Sequence, residues 1–107
     1  MDMFNAIAEP QRRKVVELLA RKGRMSATEI SRNFDVTPQA MSQHLKVLRE
    51  SEVVDMERVA QKRFYSINRD SMKELERWIM ELEKGWGQRL DRLDGIVQSE
   101  KRKRFIR

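Results

Sequence analysis

Two helix-start signals set close together constrain this chain more than anything else in it. Ser26-Ala27-Thr28-Glu29 has the form of a capping box, in which the serine hydroxyl accepts from the amide three residues on and the glutamate reaches back. It predicts a short helix ending near Phe34. Three residues then turn the chain, and Thr37-Pro38 restarts it, threonine as N-cap and proline as first helical residue, where a missing N–H costs nothing. The second helix is expected to run through Met41, Leu45 and Leu48 to about Ser51. The product is a pair of short helices joined by a tight turn.

On a wheel of about 100° per residue, Met41, His44, Leu45 and Leu48 fall in one arc of that second helix. Gln39, Gln43, Lys46 and Glu50 fall opposite, with Ser42 and Arg49 beside them. One side is a core face. The other carries amides that can bond base edges bidentately, a permissive hydroxyl, and cations suited to phosphate, so it fits a helix presented to a DNA major groove. Any surface helix has a polar side, and this face alone puts the two readings level. The segments around it tip the balance.

Ahead of the pair, Met3, Phe4, Ile7 and Ala8 recur at helical spacing, and Pro10 both ends that short helix and opens another. Val15, Val16, Leu18 and Leu19 give the new helix its apolar side, Arg12-Arg13-Lys14 lie on the other, and Gly23 offers a stop. After the pair, Val53 to Val59 and Lys62 to Ile67 are two β-rich runs around Ala60-Gln61. They predict a hairpin with a basic tip. Neither Gly nor Asn sits at the tip, so a two-residue turn needing positive φ is disfavoured and a longer loop is expected. Arg58, Lys62 and Arg63 fit phosphate or minor-groove contacts, against the plainer role of cations that keep a sheet edge from pairing; the preceding helix pair favours contact.

From Ser71, helical periodicity returns in Met72, Leu75, Ile79, Leu82, Trp86, Leu90, Leu93 and Val97, a coiled-coil-like seam with a stutter at 82 to 86 to 90, and Gly85 and Gly87 weaken it locally. A chain of 107 residues cannot cover Trp78, Ile79, Leu82 and Trp86 with its own core. An apolar patch of that kind usually marks an interface. The dimer surface is therefore expected to comprise Met3, Phe4 and Ile7 with Leu75, Trp78, Ile79, Leu82, Trp86, Leu90 and Leu93.

Charge and composition close off other classes. The net charge is +6, distributed as +4 over residues 1–69, −3 over 70–100 and +5 over 101–107, so the long last helix is not the part that attracts polyanions. There is no cysteine and one histidine, which argues against thiol chemistry, thiolate metal sites and zinc centres; no metal and no cofactor is expected. His44 is expected half-buried and bonded to backbone rather than ligating. The carboxylates are scattered on charged faces and no glycine-rich loop follows a strand, which speaks against an enzyme. The seven methionines are read as core filler. With no membrane-length apolar run and no leader-like start, a soluble cytoplasmic chain is expected. The organisation expected is one domain over residues 1–100, including a dimerisation helix at 70–98, and a basic tail at 101–107.

Several stretches together resemble the ArsR family of winged helix-turn-helix repressors: Ala8-Glu9-Pro10-Gln11-Arg12-Arg13, Val16-Glu17-Leu18-Leu19, Met25 to Ile30, Ser42-Gln43-His44-Leu45-Lys46-Val47-Leu48-Arg49, and Arg63 to Asn68. The likeness covers roughly residues 3 to 97, and its most specific piece is the Ser-x-His-Leu-x-x-Leu run. The segment from Trp86 to Leu93 resembles the long last helix of the SdpR-like branch. What the resemblance implies is a mainly α fold with a small β-hairpin wing, dimeric through its first and last helices. It also implies a homodimeric repressor of its own or a neighbouring operon, bound to double-stranded operator DNA with two-fold symmetry. The residues carried over for DNA are Thr37, Pro38, Gln39, Ser42, Gln43, Lys46 and Arg49 on and before the recognition helix, and Arg58, Lys62 and Arg63 on the wing. Ser26-Ala27-Thr28-Glu29 stands where thiol-sensing members carry Cys-x-Cys, and residues 70–100 lack the histidines of zinc- or nickel-sensing members, so neither kind of sensing is inherited. Two rivals remain, a winged-helix dimer whose partner is another protein and a nonspecific nucleic-acid binder driven by the basic tail.

Overall fold

The computed structural model describes the backbone of residues 2–105 and the side chains of residues 2–89, so Leu90, Leu93 and the basic tail's side chains lie outside the described residues. In chain order the elements are α1 (Met3–Ala8), α2 (Pro10–Lys22), β1 (Met25–Ser26), α3 (Ala27–Ser31), α4 (Pro38–Glu50), β2 (Val54–Val59), β3 (Lys62–Ile67) and α5 (Arg69–Phe105). Residues 1–72 form one compact unit and residues 73–107 a second.

Local chemistry explains most boundaries. Glu9 caps α2 by accepting from the Arg12 amide at 2.9 Å, with Pro10 just inside, and Gly23 ends the helix at φ 82°. Arg12 does not stay on the far side of α2: its Nε donates to the Ala6 carbonyl at 2.6 Å, one of the carbonyls at the end of α1 that lack an intrahelical partner. The capping box is fully formed, the Glu29 amide donating to Ser26 Oγ at 3.2 Å and the Ser26 amide to Glu29 Oε1 at 3.1 Å. Helix α3 nevertheless ends at Ser31, short of Phe34. The Asn33 and Phe34 amides donate to carbonyls three residues back, so the tighter turns of residues 32–36 belong to the connection.

The two-stranded wing of the sequence reading is a three-stranded antiparallel sheet in the order β1-β3-β2. Strand β1, only two residues long, pairs Met25 with Tyr65 and Ser26 with Phe64, and nothing in its local sequence announced it. The tip is a correction. Val59 pairs with Lys62, leaving Ala60-Gln61 as a two-residue turn with Ala60 at φ 55°, where a longer loop was expected.

The core of the first unit gathers Val15, Leu18 and Leu19 of α2, Ile30 of α3, Met41, Leu45 and Leu48 of α4, Val53, Val54 and Tyr65. Helix α4 ends in a Schellman-type cap, the Val53 amide bonding the Leu48 carbonyl and the Glu52 amide the Arg49 carbonyl, both at 3.0 Å. Glu52 occupies the left-handed position of that cap at φ 63°, where glycine is usual. Its side chain is exposed, while its carbonyl accepts from Ser71 Oγ at 2.6 Å. Glu52→Gly keeps both bonds and relieves the Cβ, so it should stabilise the protein by about 0.5–1 kcal/mol. A melting temperature unchanged or lowered in the variant would show that Glu52 is unstrained.

Candidate nucleic-acid interface

Helix α4 has its core face locked and its other face open. Met41, Leu45 and Leu48 are buried and His44 and Val47 half-buried, whereas Pro38, Gln39, Ser42, Gln43, Lys46 and Arg49 are exposed. The wheel drawn from the sequence thus matches the observed burial. Thr37 does double service, since its Oγ1 accepts from the Ala40 amide at 3.1 Å while the residue remains exposed. The start of the helix is thereby fixed at Pro38, which sets where Gln39, Ser42 and Gln43 stand around its axis.

His44 departs from the expectation. It is half-buried, yet its Nδ1 lies 3.8 Å from Glu9 Oε2 instead of on a backbone group, tying α4 to the start of α2. Burial raises the Glu9 pKa, but the Arg12 and Gln11 amides and the charges of His44 and Arg12 outweigh it and leave the carboxyl below its ordinary value. Glu29 is also lowered, first by the Ser26 amide and then by its hydroxyl, with burial opposing and Lys62 and Arg32 adding to the fall.

The wing places its three cations unequally. Arg58 and Arg63 are directly opposite one another across β2 and β3, on the face that carries the pair Met56 and Tyr65. Like charges so placed repel, which an anion lying across them would relieve. Lys62, one residue along, is on the opposite face with Glu57 and Phe64. There Arg24 stacks 4.5 Å from the Phe64 ring centroid and donates to Glu57 Oε1 at 2.6 Å, bracing the sheet's other side. Arg24 and Glu57 are exposed, so their ion pair is worth well under about 1 kcal/mol.

Arg63 and the recognition helix meet in one cleft of about 280 Å³, lined by Ala27, Thr28 and Ser31 of α3, Pro38, Met41, Ser42 and Leu45 of α4, and Arg63 and Tyr65 of β3. Thr28 and Ser31 had no role in the sequence reading beyond filling a short helix. Their proximity to Arg63 depends on the β1–β3 pairing, for which no local signal exists. Among the described residues, no group of His, Cys, Asp or Glu side chains is arranged to hold a metal ion, and no helix is long and apolar enough to cross a membrane.

The apolar residues of the expected dimer surface divide. Met3 and Ile7 are half-buried against the protein's own core and Phe4 is exposed. In the second unit Leu75 is half-buried, while Trp78 is 47 %, Ile79 44 %, Leu82 44 % and Trp86 59 % exposed. Arg89 stands over the Trp86 ring at 5.9 Å.

A capped helix pair, a recognition helix with an open polar face and a hairpin wing define a winged helix-turn-helix protein. The family model described as a helix-turn-helix domain matches residues 7–57. The transcriptional repressor SdpR of Bacillus subtilis is 33 % identical over 79 residues, covering 74 % of this chain and 87 % of that protein. The HTH-type transcriptional regulator Rv2034 of Mycobacterium tuberculosis is 30 % identical over 97 residues, covering 91 % of this chain and 87 % of that one. The crystal structure of an ArsR family transcriptional regulator superposes with a TM-score of 0.72 at 26 % identity, covering 79 % of this chain and 87 % of that chain. The chain belongs to the ArsR family of winged helix-turn-helix proteins and is a DNA-binding transcriptional regulator.

Proposed function

We propose that the protein is a homodimeric repressor that lays α4 in successive major grooves of a two-fold symmetric operator and blocks transcription by occupying it. Gln39, Ser42 and Gln43 read base edges; Lys46 and Arg49 meet phosphates at the groove's rim, with Thr37 and Pro38 fixing the helix start beside the backbone. Arg58 and Arg63 straddle an anion on the flanking backbone or in the minor groove, and Lys62 extends the wing's positive tip on its other face. The second copy is held by the exposed apolar stripe of α5 at Leu75, Trp78, Ile79, Leu82 and Trp86, continued in sequence by Leu90 and Leu93, with Met3, Phe4 and Ile7 contributing from α1.

The observation that carries this reading is the directly opposed arginine pair on the wing. Two cations facing each other repel, and a polyanion such as the DNA backbone supplies the missing charge. Selecting bound sequences from a random duplex pool at near-physiological salt tests the function as a whole. A two-fold symmetric motif is expected, with half-sites about one helical turn apart. Recovery of no enriched motif, with binding lost on truncation after Ser99, would replace the reading by nonspecific attraction through the basic end.

A further inference from the structure

Helix α5 carries a notch of about 320 Å³ beside its apolar stripe, walled by Leu82, Gly85, Trp86 and Arg89 with Glu81 at the rim. The four wall residues are spaced i, i+3, i+4 and i+7, the pattern of a hole into which a facing helix sets one side chain. Gly85 is what deepens it. A Cβ added there would meet nothing within 4 Å among the described residues, and glycine inside a helix is unfavourable against alanine, so the protomer itself gains nothing from this glycine. Gly87 is equally open but does not line the notch. Seven residues before Gly85, and so on the same flank of the helix to within about 20°, stands the exposed indole of Trp78. Arg89, over the Trp86 ring at 5.9 Å, also lines the notch, and a planar guanidinium has two faces on which rings stack. An aromatic knob therefore suits this hole in shape and in chemistry, and the chain carries one.

Two copies of α5 paired in parallel would set identical residues against each other, notch facing notch with both left empty. An antiparallel pair about a two-fold axis brings each residue before the axis to the one equally far behind it, on the same flank. The notch is centred between Gly85 and Trp86, so the axis that seats Trp78 in it crosses α5 at Leu82. The same axis brings Glu74 within one residue of the level of the partner's Arg89, an opposite charge on the same flank. We infer that the second copy docks with its α5 antiparallel, each Trp78 seated in the other's Gly85 notch and the two-fold axis at Leu82. The seat rests on the reading that the α5 stripe holds the dimer, and adds to it an orientation, a register and a reciprocal pair of contacts.

Trp78→Ala should raise the dimer dissociation constant by about a hundredfold or more, because symmetry removes two seated rings at once. Gly85→Leu should do the same by filling the notch, while helix content holds or rises, since leucine favours the helix and meets open space in the protomer. Combining the two should bring dimerisation back to within about tenfold of the wild type, each leucine entering the space the partner's indole vacates, a rescue that simple loss of apolar area would not give. The chain has no cysteine, so single ones report the register. Leu82→Cys should give disulfide-linked dimers under mild oxidation, whereas Leu75→Cys should not, its two copies standing roughly 20 Å apart along the helix. Gly85→Leu dimers as tight as the wild type, or Leu75→Cys cross-linking as readily as Leu82→Cys, would overturn the seat while leaving the dimer standing. A wild type that sediments as a monomer at tens of micromolar would instead remove the reading beneath it, and the seat with it.

Discussion

Leu82→Asp is expected to convert the protein to a monomer and to weaken operator binding by roughly 10²–10⁴-fold, the gain that linking two half-site contacts supplies. Leu82 is 44 % exposed in the single chain, between Trp78 at 47 % and Trp86 at 59 %, so an aspartate there disturbs little within one protomer. In a dimer it would place a carboxylate, and its two-fold mate, in an apolar interface where neither finds a partner. Each released half would still present α4 and the wing, and should keep a weak, salt-sensitive affinity for a single half-site. Sedimentation and operator titration on the same sample check the two effects together. A variant that stayed dimeric would move the interface off this stripe, and a monomer that bound the full operator undiminished would show that dimerisation adds nothing to affinity.

Gln43→Ala and Lys46→Ala should fail in different ways although the residues are neighbours on one exposed face. An amide can present a donor and an acceptor to one base edge, and its loss should cost about 1–3 kcal/mol on the operator and far less on random duplex. An ammonium near the rim meets phosphate whatever the sequence. Lys46→Ala should therefore weaken both duplexes alike and lower the salt slope by about one. The same division groups Ser42 and Gln39 with Gln43, and Arg58, Lys62 and Arg63 with Lys46. Equal losses on operator and random duplex for Gln43→Ala would mean that α4 does not read sequence through this residue, and would favour a nonspecific binder.

Much of the site was legible because it depends on residues three or four apart. The Ser26 and Thr37 caps, the Pro10 and Pro38 starts and the stop at Gly23 each involve groups within one helical turn, and all formed as expected. The exposed face of α4 followed from periodicity in the same way. His44 was placed at the right depth, but its neighbour Glu9 lies far back in sequence, and no local pattern could supply it. Helix α3 was expected to reach about Phe34; it ends at Ser31, and Phe34 packs against the core from the turn instead.

By itself the sequence determined the local framework: where the helices of residues 3–50 begin, which side of α4 is polar, and the chemical types on that side. The tertiary structure alone decided how the wing is registered and what it brings together. Val54, Met56, Tyr65 and Ile67 share the face turned to the core, and a slip of one residue would turn all of them to solvent. Burial of that face therefore sets the pairing, and the pairing leaves only Ala60-Gln61 for the turn. Ala60 accepts a positive φ at a cost of about 1–2 kcal/mol because the buried register is worth more. The same register sets Arg58 against Arg63 and, through the Met25–Tyr65 pairing, carries β3 past Thr28 and Ser31 of α3. Turn propensity is a weak local preference, whereas the alternation of a half-buried sheet is enforced by every residue on its inner face.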